Sequence, residues 1–163
     1  MRLHRAAIGS VLFFLVAPGV VVGLLPWWIT RWELRPVPMP VRVLGGLLLA
    51  VALPVLVGAF LRFVRDGLGT PAPVAPTERL VVTGAYRHVR NPMYVAVVSA
   101  IVGQALLLGQ IVLLAYAALV AVLVVSFVRL YEEPVLLERF GEEYASYRRA
   151  VPGWVPRLRP WKG

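Results

Sequence analysis

Pro92-Met-Tyr-Val-Ala-Val-Val-Ser-Ala-Ile-Val-Gly-Gln-Ala-Leu-Leu-Leu-Gly-Gln-Ile-Val-Leu-Leu-Ala-Tyr-Ala-Ala-Leu-Val-Ala-Val-Leu-Val-Val-Ser-Phe-Val128 contains no charged side chain. A helix crosses the hydrocarbon of a bilayer with about 20 apolar residues, each rising ~1.5 Å. The stretch is far longer than one such span, and Gly109 lies near its middle. It reads as two membrane spans, 92–108 and 110–128, folded as a tight hairpin. Upstream, 6–29 (interrupted by Pro18 and Pro26) and 41–61 (with Pro54 inside) read as two further spans. Neighbouring helices can accommodate kinks at such prolines. The expected fold is all-α: a single membrane domain, 1–163, forming an integral membrane helical bundle. It has about four transmembrane helices plus a C-terminal amphipathic cytosolic helix.

Composition agrees. The chain has 163 residues, 60% of them hydrophobic, and a mean hydropathy of +0.78. A soluble domain is nearer half apolar. With no cysteine, disulfides, thiolate catalysis and cysteine-based zinc sites are excluded. Two histidines, His4 and His88, are too few for a histidine-rich metal centre, and no metal site is expected. The net charge of +9 comes from arginines that flank apolar runs. That pattern suits anionic headgroups and the positive-inside rule rather than nucleic acid. The basic start (Arg2, Arg5) resembles a signal peptide. The apolar run behind it is longer than a usual signal core and has no clear small-residue cleavage site, so it reads as a retained span.

With the N terminus in the cytosol, most of the 17 basic residues fall on the cytosolic side. Both termini and the central loop 62–91 are therefore expected there, as in a bacterial inner membrane. Trp27, Trp28 and Trp32 would form an aromatic belt at the outer face. Prolines and glycines in 67–76 favour extended and turn conformations, and 80–84 reads as a short extended piece. After Glu132-Glu133-Pro134, the residues Leu136, Phe140, Tyr144 and Tyr147 mark one face of an amphipathic helix ending near 150. Pro152, Pro156 and Pro160, with Trp154 and Trp161, suggest an extended tail that seeks the membrane interface.

The densest chemistry lies in Gly84-Ala-Tyr-Arg-His-Val-Arg-Asn-Pro-Met-Tyr94 and in Arg129, Glu132 and Glu133. The topology brings both groups to one face. Their simplest reading is snorkelling arginines and a Glu–Arg pair that staples loop to helix. Adjacent glutamates point apart on a helix, so Glu132 and Glu133 are not expected to serve one ligand. His88 alone suits a loop hydrogen bond, and Asn91-Pro92 suits a turn before a helix. Gln104 is expected to bond a neighbouring helix. Gly45-Gly46, Gly103 and Gly109 would permit close helix packing. There is no G-x-G-x-x-G after a strand, no P-loop and no H-E-x-x-H.

Gly69-Thr-Pro71, Leu80-Val-Val-Thr-Gly-Ala-Tyr-Arg-His-Val-Arg-Asn-Pro-Met-Tyr94, Glu132-Glu133, Phe140-Gly-Glu-Glu-Tyr144, Tyr147 and Val151-Pro152 together resemble the isoprenylcysteine carboxyl methyltransferase family. The related phospholipid methyltransferases share this C-terminal half. The resemblance covers about residues 62–156. It implies a membrane enzyme using S-adenosylmethionine, held between the central loop, the last two spans and the C-terminal helix. By motif position, Leu80 and Val81 would offer backbone contacts. Tyr86, with His88 close by, and the turn Asn91, Pro92, Met93 and Tyr94 would wrap the cofactor. Glu132 would bind its polar end, with Glu133 the close alternative. Arg129 would lie towards the acceptor. Many relatives have Arg-His-Pro where this chain has Arg90-Asn91-Pro92, and Pro where it has Ala85. Asn hydrogen-bonds but cannot act as a base.

Methyl transfer from a sulfonium needs alignment and exclusion of water. A carboxylate acceptor needs no base, and Arg129 or Arg90 could hold it. An amine acceptor would need Glu or His88 to take a proton. The expected acceptor is a hydrophobic or lipid-like molecule bearing a carboxylate, amine or thiol, and the bilayer is the expected partner. Rival readings are an NADPH-dependent membrane reductase of related architecture and a non-catalytic membrane scaffold.

Overall fold

The uncharged stretch folds as a helical hairpin whose turn depends on Gly109. This glycine adopts the left-handed conformation (φ 71°) and caps the preceding helix through its N–H to the Ala105 carbonyl. A side chain there would also strike the Arg35 carbonyl, 2.9 Å from an added Cβ. The computed structural model describes residues 16–67, apart from the side chains at 63, 64, 66 and 67, and residues 78–163. The first part of the expected first span, His4 and Gly69-Thr-Pro71 lie outside the described residues.

The described residues are helical, with no strand among them. Helix α1 is Val16–Thr30, α2 is Met39–Gly67 and α3 is Pro92–Leu108. Helix α4, Val112–Phe127, continues through a π turn, Val128–Glu132, into α5, Glu133–Ala150. Two candidate spans are long and apolar enough to cross a membrane, Met39–Arg62 and the rod Val112–Ala150. Only 28% and 22% of their most apolar windows are buried. The core helix of a soluble protein would be mostly covered, whereas Leu44, Leu47, Val51, Val122 and Leu123 are exposed. With the shorter apolar helices α1 and α3 beside them, these form a membrane helical bundle. In the rod the apolar character ends with α4, because Arg129, Glu132 and Glu133 follow immediately.

Pro26 has no N–H, so it leaves carbonyls of the preceding turn without a helical donor. In lipid such groups must be satisfied internally. Gln104 Nε2 of α3 donates to the Val22 carbonyl at 2.7 Å, and the Tyr116 hydroxyl of α4 donates to the Val21 carbonyl at 2.9 Å. Gln104 therefore bonds a neighbouring helix, as its depth requires. The α2–α3 contact depends on Gly45. A Cβ there would come within 2.3 Å of the Leu107 nitrogen and 2.7 Å of the Gly103 carbonyl, both backbone atoms that cannot rotate away. Gly46 meets nothing nearer than 3.8 Å. The core between the helices contains Ile101 and Leu113, both with no accessible surface.

The C-terminal half departs from a simple amphipathic helix. Gly141 has non-helical geometry (φ 52°, ψ −124°) and breaks α5. Beyond the break, Tyr144, Tyr147 and Val151 form a small core that Leu136, Phe140, Leu80 and Val82 cover. The segment at 80–84 pairs with no strand and leads into a 3₁₀ turn, Gly84–Arg87. Trp161 was expected to seek the membrane interface. It packs on Tyr147 instead, with ring centroids 5.5 Å apart, and its backbone N–H donates to the Arg87 carbonyl.

Gly45→Ala is expected to destabilise the bundle by about 1–3 kcal/mol, the usual cost of overpacking. Gly46→Ala should leave stability unchanged or slightly raised, since alanine favours helix. Thermal unfolding of both variants in detergent checks the pair.

Candidate active site

The loop from Glu78 to Asn91 is anchored by the alternation of its apolar residues. Val81 packs with Ala59, Tyr86 and Met93. Its neighbours Leu80 and Val82 turn to the Tyr144–Tyr147 core. The Tyr147 hydroxyl donates to the Tyr86 carbonyl at 2.6 Å. The C-terminal tail then runs along the loop. Backbone bonds join Arg90 N–H to Pro152 and Arg157 N–H to His88, both at 2.9 Å.

Arg90 and Glu133 pin loop to helix. The Arg90 guanidinium is 2.6 Å from the Glu133 carboxylate, and it also donates to the Val151 carbonyl at 3.0 Å and the Tyr144 hydroxyl at 3.2 Å. Arg148 approaches the other Glu133 oxygen at 3.2 Å. Three further loop residues face the tail. His88 Nδ1 lies 2.8 Å from the Arg157 carbonyl. Asn91 Nδ2 donates to the Gly153 carbonyl at 3.0 Å. The Arg87 guanidinium donates to the Trp161 carbonyl.

A different set converges next to this pin. Pro92 opens α3, where its missing N–H costs nothing. Tyr94, in the first turn, donates its hydroxyl to Glu132 Oε2 at 3.1 Å. Glu132 belongs to the π turn, which lies beyond the apolar part of α4. Burial lifts its carboxyl above the ordinary carboxylate range, and the charge of Glu133 adds to this. The Tyr94 hydrogen bond opposes it. Tyr86 is buried in the same cluster. Burial first, then the charge of Glu132, hold its hydroxyl well above the usual range.

Tyr94 also joins this cluster to an apolar cavity of about 280 Å³ between α1, α2, α3 and α4. Pro18, Val21, Leu56, Phe60, Val97 and Leu123 line it, with Met93 and Tyr94 in its wall. The structure thus brings together Val81, Tyr86, Met93, Tyr94 and Glu132. Arg90, Glu133, His88 and Asn91 sit apart from them, in the loop–helix–tail contacts. Leu80 packs on the α5 core, Pro92 starts α3, and Arg129 is exposed on the π turn. Sequence reasoning did not reach the α1 wall of the cavity, whose residues are ordinary apolar ones. It also missed the tail carbonyls, which leave no trace in residue type.

The model of the phospholipid methyltransferase family matches residues 41–143, more than half of the chain. This chain belongs to that family. It is also similar to a protein-S-isoprenylcysteine O-methyltransferase of Schizosaccharomyces pombe, 36% identical over 79 residues. Those residues are 48% of this chain and 34% of the relative, so the match spans about a third of the relative's length. No solved structure matches. The family region includes Tyr94 and Glu132, whereas the strapping tail lies beyond it.

Removing one partner of a buried ion pair leaves the other charge uncompensated, typically at about 3–5 kcal/mol. Arg90 and Glu133 side chains are only 13% and 11% exposed. Glu133→Ala is expected to destabilise the fold by about 3 kcal/mol. Glu142 pairs with Arg149 at the open surface, and Glu142→Ala should leave the thermal midpoint unchanged. Parallel thermal unfolding compares them.

Proposed function

We propose that this protein is a membrane methyltransferase that uses S-adenosylmethionine and methylates a lipid-like acceptor lodged in the apolar cavity. The observation that supports it most is the position of Tyr94. One side chain lines a lipid-compatible cavity and hydrogen-bonds a part-buried carboxylate. The donor set suits the cofactor: Glu132 offers a carboxylate for an ammonium, and the loop backbone at Leu80 and Val81 lies beside the same cluster. When bound, S-adenosylmethionine would supply a methyl group on a cationic sulfur: an ionised acceptor carboxylate would bond to the methyl carbon as the methyl–sulfur bond breaks and leaves a neutral thioether, whereas an amine or thiol acceptor would also have to lose a proton to solvent.

The residues themselves align the reactants and exclude water. Glu132 holds the ammonium end of the cofactor, and Tyr94 orients that carboxylate through its hydroxyl. Met93 and Tyr94 close the cavity against water where the acceptor's polar end emerges. Arg129 is the available cation for an acceptor carboxylate. Arg90, the other candidate, is engaged by Glu133, Val151 and Tyr144. Asn91 serves as a turn and a hydrogen-bond donor, which asparagine supplies as well as histidine would. The active site faces the cytosol, where the cofactor is available.

Calorimetry of S-adenosylhomocysteine binding to detergent-purified protein tests this reading. Tyr94→Phe and Glu132→Gln are each expected to weaken binding about 10- to 100-fold, the equivalent of the ~1.5–3 kcal/mol of a hydrogen bond to a charged group. Val97→Trp, which fills the cavity, should keep cofactor binding and slow methylation of a lipid-like acceptor. A folded wild type that binds nothing would overturn the reading.

The pH dependence has a definite sign. Only the ionised Glu132 attracts an ammonium, and its carboxyl sits above its ordinary value of 4.5. Affinity is therefore lost on acidification, and the loss sets in at a higher pH than an ordinary exposed carboxylate would give. The wild-type titration should show this fall, and Glu132→Gln should be flat across the same range.

A further inference from the structure

The opposite end of the bundle holds a second pocket, of about 370 Å³, between the α1–α2 connection and the α3–α4 tip. It lies about 25 Å from Tyr94 along α3, at ~1.5 Å per residue. Its wall is polar where the Tyr94 cavity is apolar: Arg31, Glu33, Arg35 and Gln110 line it, with Ile29 and Ile111 beside them.

The backbone here is held firmly. Arg31 and Trp32 both adopt positive φ (52° and 55°), a conformation that costs a non-glycine residue free energy and persists only when its surroundings impose it. The surroundings do so. The Thr30 hydroxyl accepts the Trp32 N–H at 3.1 Å and donates to the Pro26 carbonyl at 2.7 Å. Trp32 Nε1 donates to Gln104 at 3.2 Å, Gln110 Nε2 to the Glu33 carbonyl at 2.8 Å, and Arg35 N–H to the Leu108 carbonyl at 2.8 Å. The charged side chains nevertheless remain exposed. Among the described residues, none of the three takes part in an ion pair. Arg31 lies over the Trp27 ring, 4.6 Å from its centroid.

Trp27, Trp28 and Trp32 are exposed at this same end. Exposed tryptophans mark headgroup depth in a membrane protein, so the pocket opens where lipid headgroups lie. Its charges alternate along the chain as cation, anion, cation. A simple phosphate would be attracted by Arg31 and Arg35 but repelled by Glu33. A headgroup with both a phosphate and an ammonium satisfies all three. Ile111, 78% exposed, adds an apolar surface beside the charged groups.

We propose that this pocket binds one phospholipid whose headgroup pairs a phosphate with a primary ammonium, in the leaflet opposite the candidate active site. Arg31 and Arg35 hold the phosphate, and Glu33 holds the ammonium. The site does not depend on the methyl-transfer reading.

The test uses the full chain in detergent, with thermal unfolding read against four additives: phosphatidylethanolamine, phosphatidylglycerol, diacylglycerol and inorganic phosphate. Phosphatidylethanolamine is expected to raise the midpoint by several degrees, phosphatidylglycerol less, and diacylglycerol and phosphate not at all. Arg31→Gln with Arg35→Gln should abolish the shift while S-adenosylhomocysteine binding stays as in wild type. Glu33→Gln, the milder change, should remove the preference for phosphatidylethanolamine over phosphatidylglycerol, and it decides the matter if the double variant does not fold. An equal shift with diacylglycerol, a shift with phosphate alone, or an unchanged preference in Glu33→Gln would overturn the proposal.

Discussion

The ion pair between Arg90 and Glu133 is the constraint on which the loop end of the bundle depends. The described part of the loop before α3 contains no strand, so no ladder of backbone bonds fixes its path, although Val81, Tyr86 and Val89 are buried. One guanidinium reaches a carboxylate on α5, a carbonyl at the start of the tail and a tyrosine hydroxyl between them. Loop, helix and tail are thereby tied at a single point. The tail's backbone bonds to His88 and Arg87 then extend the attachment along the loop. Tyr86 is held in turn, because its carbonyl accepts from Tyr147. The position of the candidate site is a consequence of this knot.

Within the bilayer the governing constraint is backbone satisfaction. Proline in a span frees carbonyl groups that water cannot reach. Gln104 and Tyr116 meet that need at Val22 and Val21, which also fixes α1 against α3 and α4. That fixation also sets one wall of the apolar cavity, to which α1 supplies Pro18 and Val21. A polar residue at depth thus shapes an apolar cavity that it does not line.

The elements that follow from burial periodicity and length were legible in the sequence. The uncharged run with Gly109 near its middle specified a helical hairpin. Leu136, Phe140, Tyr144 and Tyr147 marked the covered face of α5, and Gln104 indicated an interhelical bond. The break at Gly141 was not legible, since glycine in a helical pattern is compatible with either outcome. The direction of the tail was hidden for a different reason. Its attachment runs through carbonyls of Pro152, Gly153, Arg157 and Trp161, and a carbonyl is common to every residue. The candidate site was legible as a cluster of polar residues at one face. Which of them share a space was not, because that depends on the π turn.

The π turn separates the roles of two neighbouring glutamates. Adjacent helical residues already point in different directions, and the widened turn at Val128–Glu132 sets Glu132 towards Tyr94 just before α5 begins with Glu133. Glu133 receives two guanidinium groups and is fully engaged in holding the loop. Glu132 receives one tyrosine hydroxyl, and its carboxyl is raised by burial. A carboxylate already neutralised by two arginines has little left to offer a cationic ligand. Glu132, held among the described residues by the Tyr94 hydroxyl, has no such arginine pair to neutralise it. Irregular π geometry is frequent at functional sites for this kind of reason: it places one side chain off the regular helical path while its neighbour keeps the fold in place.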